Sequence, residues 1–142
     1  MNNSKNNLNV VKETDETFKS SVLYDAYNVL KKCWKADTCA PRMRKDWSED
    51  NRTLGQCSIT AFLLQDEFGG DVYGVPLGDG NFHCFNVIDD MAYDITSSQF
   101  KKDLDYDLEH PQSRDIHFAK KEKHERYLLL KERYEKQKNK IG

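Results

Sequence analysis

Apolar side chains recur at helical spacing in three stretches of the chain, 15–35, 57–67 and 116–138. Each spacing predicts an amphipathic helix. Gly69-Gly70 follows the second stretch and predicts its end, because glycine tolerates the left-handed conformation of a helix cap. The third stretch is rich in charged residues and predicts a long helix with one apolar side.

Residues 72–77, 82–88 and 91–95 are short apolar runs bounded by turn residues, which is typical of strands. Asp89-Asp90 between the last two runs predicts a two-residue hairpin loop. The order is helix, helix, two or three antiparallel strands, helix. Helices and strands that are grouped in this way indicate an α+β fold.

The chain has 142 residues, a length that predicts one domain with a core of its own. Residues 1–14 are polar and lack a hydrophobic period, so we expect a disordered N-terminal arm followed by a single α+β domain over 15–142. No apolar run reaches the length of a membrane span, and the N-terminus has no signal-peptide pattern. We therefore expect a soluble cytoplasmic protein without a membrane partner.

The overall charge of −2 gives no general attraction to nucleic acid or to anionic membranes. Charge is distributed unevenly, however. Residues 120–140 carry nine Lys or Arg against four Glu, whereas residues 89–109 are acidic. A charged helix face is usually solvated, so no nucleic-acid partner is expected. Docking of the basic helix on the acidic hairpin is an equally compatible interpretation.

Cys57 stands at the predicted start of the second helix, directly after Gly55-Gln56. The free N–H groups and the positive dipole end of a helix favour a thiolate there. The same N–H groups can stabilise an oxyanion when the thiolate attacks a carbonyl. The simpler alternative is that Cys57 is a small buried hydrophobic residue.

The predicted hairpin supplies two partners for that sulfur. With Asp89-Asp90 as the loop, Phe85 lies opposite Asp94, and His83 becomes the diagonal neighbour of Asp94 on the same face. A carboxylate there can hold one ring nitrogen of His83 and direct the other toward Cys57. A shift of one residue in the register would move Asp94 to the opposite face.

Each of these residues alone also has a purely structural explanation, and their order along the chain leaves the functional and structural interpretations evenly balanced. A zinc site is a further alternative for the cysteines and the histidine. The nearest cysteine pair, Cys33 and Cys39, has a wider spacing than structural zinc sites use. No metal and no cofactor are therefore expected. Reduced thiols are expected in the cytoplasm, and two disulfides stay open as an alternative.

Five short blocks occur in order and together resemble the YunG-like family of small bacterial proteins. The blocks are Gly-Gln-Cys-x-x-Thr-Ala from residue 55, Gln-Asp-x-Phe-Gly-Gly from 65, His-x-Phe-Asn from 83, Asp-x-Thr from 94 and Gln-Phe from 99. The resemblance covers roughly residues 23–101. It leaves the N-terminal arm and the long C-terminal helix outside.

The order Cys, His, Asp more loosely resembles the papain and transglutaminase-like superfamily. That resemblance implies a helix with Cys57 at its N-terminus, packed on a small antiparallel sheet. It also implies Cys57 as nucleophile, His83 as base and Asp94 as orienting acid. Papain-type enzymes place an oxyanion-hole glutamine about six residues before the cysteine, where this chain has Asn51. Ser58 also departs from the aromatic residue that transglutaminases carry there.

The resulting hypothesis is a cysteine hydrolase or acyltransferase that acts on an amide or ester through a thioester. Gln56, Asn51 and Asn86 are the candidates for oxyanion or substrate binding. The substrate is an unknown protein, peptide or small molecule, and the sequence does not indicate an oligomeric state. The alternative is a non-catalytic binding or interaction module on the same fold.

Overall fold

The structure is a computed structural model that describes residues 8–141. It is an α+β fold with a small four-stranded sheet and a long C-terminal helix. The strands are β1 (Val10–Lys12), β2 (Asp71–Pro76), β3 (Phe82–Ile88) and β4 (Met91–Asp94), and the helices are α1 (Tyr24–Leu30), α2 (Cys57–Phe68), α3 (Arg114–Phe118) and α4 (Lys121–Ile141). No helix among residues 8–141 is long and apolar enough to cross a membrane.

The sheet has the strand order β1-β4-β3-β2. β2, β3 and β4 pair antiparallel, as the sequence pattern predicts, and β2 and β3 match the predicted runs closely. The β3–β4 register is also confirmed, because Ile88 pairs with Met91 across the loop. Both loop residues, Asp89 and Asp90, have positive φ, which is the backbone of a two-residue turn that suits the twist of a hairpin.

The prediction of a disordered arm over 1–14 is wrong for part of its length. Val10–Lys12 form β1, which pairs parallel with β4 and completes the sheet. A strand of three residues is too short to show a hydrophobic period, so only its pairing partner reveals it. Residues 1–7 lie outside the described residues.

The predicted helix over 15–35 is interrupted. A 3₁₀ turn over Glu16–Ser20 comes first, and α1 begins only at Tyr24. The hydroxyl of Ser21 accepts a hydrogen bond from the backbone N–H of Leu23, 3.3 Å away. Serine side chains compete with helical hydrogen bonds in this way.

The connection over 36–54, between the first two predicted helices, consists largely of short 3₁₀ turns. The hydrophobic core lies between α2, α4 and one face of the sheet. Within it, Trp34, Phe62 and Leu130 are almost completely buried.

The predicted helix over 116–138 is two helices, α3 and α4, with a break between Phe118 and Lys121. α4 does not dock through its basic residues on the acidic hairpin. It packs on α2 and α1, and its Arg133 and Lys138 pair with Asp37 and Glu67. This placement brings the break between α3 and α4 toward the start of α2.

Candidate active site

Cys57 is the first residue of α2, as predicted, and its side chain is partly exposed. Gly55 just before it has φ +70° and lies so close to the preceding loop that a Cβ atom would be 2.6 Å from the sulfur of Cys39. Only glycine fits this turn without a shift of the chain. The tight approach fixes the direction from which the chain enters α2. In contrast to Cys57, the thiols Cys33, Cys39 and Cys84 are buried.

His83 and Asp94 form a hydrogen-bonded pair on β3 and β4. His83 Nε2 lies 2.7 Å from Asp94 Oδ2, and both side chains are at most 1% exposed. The hairpin register that is predicted from the sequence is what brings them to one face. An ion pair that is buried so completely keeps its charges only if other hydrogen bonds support it.

Asp94 has that support. It accepts a hydrogen bond from the hydroxyl of Tyr106 and another from the backbone N–H of Thr96, 3.1 Å away. Burial on its own raises the pKa of Asp94, but the charge of His83 and these hydrogen bonds outweigh it and lower the pKa. The carboxylate therefore stays ionised and anchors the imidazole. No sequence pattern indicates Tyr106, which lies on an irregular segment without a hydrophobic period.

The other ring nitrogen of His83, Nδ1, is buried and has no hydrogen-bond partner among the described residues. The ring packs edge-on against Phe100, with 4.7 Å between the centroids. Burial lowers the pKa of His83, but Asp94 and the nearby Cys57 raise it to about 10. Asp94 and Cys57 thus favour the imidazolium form of His83.

The sulfur of Cys57 lies beside this ring, 4.0 Å from the carbonyl oxygen of Phe82. The neighbouring Cys84 thiol lowers the pKa of Cys57 most. The charge of His83 lowers it further, to well below the ordinary value, against the opposing effect of burial. The same contact raises the pKa of Cys84. Cys57, His83 and Asp94 thus lie in a row, and their mutual effects on pKa favour a thiolate, an imidazolium and a carboxylate.

We expect Cys84→Ala to raise the pH at which Cys57 becomes reactive, because the substitution removes a hydrogen-bond donor to the thiolate. A shift of about one pH unit is the typical size for one such bond, since a hydrogen bond to a charged group contributes about 1.5–3 kcal/mol. The rate of alkylation of Cys57 by iodoacetamide, measured against pH, checks this. Cys33→Ala is the matched control, and an equal shift in both variants would contradict the assignment.

Cys57 lines a cleft of about 520 Å³, and the buried His83 lies in its wall. Its opposite wall comes from the C-terminal part of the chain, where His117 of α3 and Lys123 of α4 face the cleft. Lys123 Nζ lies 2.9 Å from Nδ1 of His117, and Nε2 of His117 lies 2.8 Å from Oε1 of Gln112. No local sequence pattern predicts these residues, because their position depends on how α3 and α4 fold back over α2.

The structure places the three oxyanion candidates as follows. Gln56 is completely buried, and its Nε2 donates to the carbonyl oxygen of Lys35 at 3.1 Å. Asn86 is also buried, and its Nδ2 donates to the carbonyl oxygen of Ala61 at 2.9 Å. Asn51 lies in a 3₁₀ turn of the connection before α2 and is not among the described residues that line the cleft. The backbone N–H groups at the start of α2 lie beside the Cys57 side chain and have no partner within the helix.

One group of side chains among residues 8–141 has the composition and spacing of a metal site. Ligand atoms of Asp107, Glu109 and His110 lie within 4.8 Å of one another. Glu109 is exposed, and none of the three lines the cleft of Cys57. Exposed carboxylates often cluster on surfaces without binding an ion, and we assign this group no role.

A family model described as "YunG protein" matches residues 22–139 of the chain. The chain belongs to the YunG family. A relative from Bacillus subtilis (strain 168), described as "Uncharacterized protein YunG", is 32% identical over 115 residues, which are 80% of this chain and 92% of the relative. No solved structure matches the chain.

The YunG family match extends further than the motif blocks that resemble this family. Those blocks end near residue 101, whereas the match continues through α3 and most of α4. The wall of the cleft that contains His117 and Lys123 is therefore part of the family domain.

Proposed function

We propose that this protein is a cysteine hydrolase or acyltransferase that acts on an amide or ester bond, with Cys57 as nucleophile, His83 as acid and base, and Asp94 as the orienting carboxylate. The observation that carries the proposal is the buried 2.7 Å pair of His83 and Asp94 beside Cys57, a partly exposed residue that lines a cleft. A buried charged pair is costly, and perturbed groups of this kind concentrate at functional sites. The open cleft gives the sulfur access to a substrate.

In the proposed reaction, the Cys57 thiolate attacks the carbonyl carbon, and the π electrons of the carbonyl move to its oxygen. The N–H groups at the start of α2 donate to this oxyanion. The bond to the leaving amine or alcohol then breaks, and the leaving group takes a proton from the imidazolium of His83. The product is a thioester on Cys57.

In the second half of the proposed reaction, the thioester breaks down and the protein returns to its starting state. Water or an amine attacks the thioester and gives its proton to His83, and the bond between sulfur and carbon breaks. Water gives hydrolysis and an amine gives acyl transfer. Asp94 holds the ring in one orientation through both halves and is not itself protonated.

We also propose a papain/transglutaminase-like core and a location in the cytoplasm. A helix that begins at the nucleophilic cysteine and packs on a sheet carrying the histidine and the acid supports a papain/transglutaminase-like core. A thiolate nucleophile has to stay reduced, which fits the cytoplasm. All four cysteines are free thiols in the structure, in agreement with this requirement.

Alkylation by iodoacetamide against pH tests the ion pair. The reaction rate of Cys57 should reach half its maximum well below pH 8.5, the ordinary thiol pKa, because the sulfur is already a thiolate. Preferential alkylation of Cys57 over the other thiols does not test for a thiolate, because the other thiols are buried. Cys57→Ser is the control for the site of labelling. A midpoint at or above pH 8.5 would remove the nucleophile from the proposal.

Turnover of a generic activated ester separates an enzyme from a binding module. With p-nitrophenyl acetate, we expect a burst of one nitrophenolate per protein as the acetyl thioester forms, and its loss in Cys57→Ser. A thiolate that shows the low midpoint and yet gives neither burst nor turnover would favour the non-catalytic alternative.

A further inference from the structure

The walls of the cleft carry an excess of positive charge. Arg42, Lys120 and Lys123 contribute side chains to it, whereas its one carboxylate, Glu122, already pairs with Arg126 at 2.7 Å. The chain as a whole has a net charge of −2, so this concentration of cations is local. Concave sites lined by one sign of charge attract ligands of the opposite sign.

Lys123 is held by a neighbouring histidine. Its side chain is only partly exposed, and its Nζ donates to Nδ1 of His117, 2.9 Å away. Nε2 of His117 in turn donates to Gln112 at 2.8 Å, which fixes the ring as the neutral tautomer. Burial and the charge of Lys123 lower the pKa of His117 to about 4, in agreement with a neutral ring. The ammonium is therefore oriented by a neutral acceptor and not by a carboxylate.

An ammonium that is partly removed from water without a carboxylate partner loses solvation that an anion can restore. Lys123 and Cys57 line the same cleft. Burial lowers the pKa of Lys123, and the nearby Cys84 and Cys57 oppose that effect. A group bound at Lys123 would thus sit close to the carbonyl that the thiolate attacks. The Lys123 side chain has two further N–H bonds available for such a group.

We propose that Lys123, together with Lys120 and Arg42 of the same cleft, binds an anionic oxygen group of the substrate, a carboxylate or a phosphate, beside the bond that Cys57 attacks. The preference for an anionic substrate rests on the proposed function, whereas anion binding at Lys123 can be measured without turnover. His117 and Gln112 position the ammonium and do not contact the substrate.

Competition between iodoacetate and iodoacetamide at Cys57 tests the subsite. In both reactions the thiolate forms a bond to carbon and iodide leaves, but only iodoacetate carries a carboxylate. The ratio of the two rate constants does not depend on the fraction of thiolate, because both reagents consume the same species. It reports the attraction of a carboxylate to the cleft. The charge of His83 contributes to this ratio in every variant, so the comparison is made between variants.

We expect Lys123→Gln to lower the ratio of iodoacetate to iodoacetamide about fivefold, the effect of an interaction of about 1 kcal/mol between partly exposed charges. Lys123→Arg should retain most of the ratio. Lys121→Gln is the matched control, since this exposed lysine precedes Glu122 on α4 and does not line the cleft. It should leave the ratio unchanged.

Protection experiments at constant ionic strength distinguish the two chemistries. Succinate that slows alkylation by iodoacetamide indicates a carboxylate subsite, and inorganic phosphate that does so indicates a phosphate subsite. Protection by neither, or an equal ratio in Lys123→Gln and wild type, overturns the subsite. Neither of these negative results changes the pH at which Cys57 is half alkylated. A failure of the anion subsite can therefore be told apart from a failure of Cys57 as the nucleophile.

Discussion

Replacing His83 by glutamine should slow the alkylation of Cys57 at pH 6 by at least about tenfold. Without the imidazolium the thiol pKa rises toward 8.5, and at pH 6 the thiolate fraction falls by about two orders of magnitude. A thiolate with a higher pKa is intrinsically more nucleophilic, and this offsets part of the loss. For the same reason, the two rate profiles should converge or cross near pH 9.5.

Glutamine is the informative substitution at this position. Its side-chain amide can still donate to the carboxylate of Asp94, so the buried charge retains a partner, whereas alanine leaves it unpaired. Stopped-flow or mass-spectrometric rates from pH 5 to pH 10 give both profiles, and circular dichroism checks the fold. His124→Gln is the control, because this exposed histidine does not line the cleft. Equal midpoints in His83→Gln and wild type would show that the ring does not activate the sulfur.

The second large effect is on stability. Asp94→Ala should lower the free energy of unfolding by about 3–5 kcal/mol, because it removes one partner of a buried ion pair and leaves a cavity. It also leaves the hydroxyl of Tyr106 without its acceptor. Urea unfolding monitored by tryptophan fluorescence gives the difference. Asp103→Ala is the matched control, since Asp103 is an exposed partner of Lys12 and its loss should cost less than about 1 kcal/mol.

The size of the Asp94 effect should depend on pH, and the Cys57→Ser background isolates this dependence. The folded pKa of His83 is raised above its unfolded value of about 6.5, so its stabilisation is complete below pH 6.5 and is lost as the pH rises through the folded pKa. The folded pKa of Asp94 is lowered, so the stabilisation that Asp94 contributes is complete above about pH 4 and is lost in more acid solution. The difference between Cys57→Ser and Cys57→Ser/Asp94→Ala should be largest between these limits.

The serine background is necessary because the thiol titrates in the opposite sense. The folded pKa of Cys57 is lowered, so its stabilisation grows as the pH rises to about 8.5, where the unfolded thiol also ionises. In the wild type, this gain offsets the loss from His83 between about pH 6.5 and 8.5. A flat difference from pH 5 to pH 9.5 in the serine background would contradict a charged His83–Asp94 pair.

Much of the candidate site could be predicted from short segments. The start of α2 at Cys57 follows from a glycine turn and a helical apolar period, and the pairing of His83 with Asp94 follows from the hairpin register. In both cases, residues close in the chain decide the geometry through backbone sterics and the alternation of side chains. The oxyanion candidates Gln56, Asn51 and Asn86 rest on sequence position and on resemblance, neither of which tells where a side-chain amide points.

The rest required the folded chain. β1 pairs with a strand about 80 residues away, and the local sequence pattern does not predict it. Tyr106 reaches Asp94 from an irregular segment, and Lys123 and His117 reach the cleft only because α3 and α4 turn back over α2.

The sequence by itself thus determined the thiol at a helix start and the histidine–aspartate hairpin, since both are set by local hydrogen bonding and side-chain alternation. Only the tertiary structure decided the charges and hydrogen bonds that surround them. Long-range packing sets burial, and burial sets which ionisable groups are stabilised as charged.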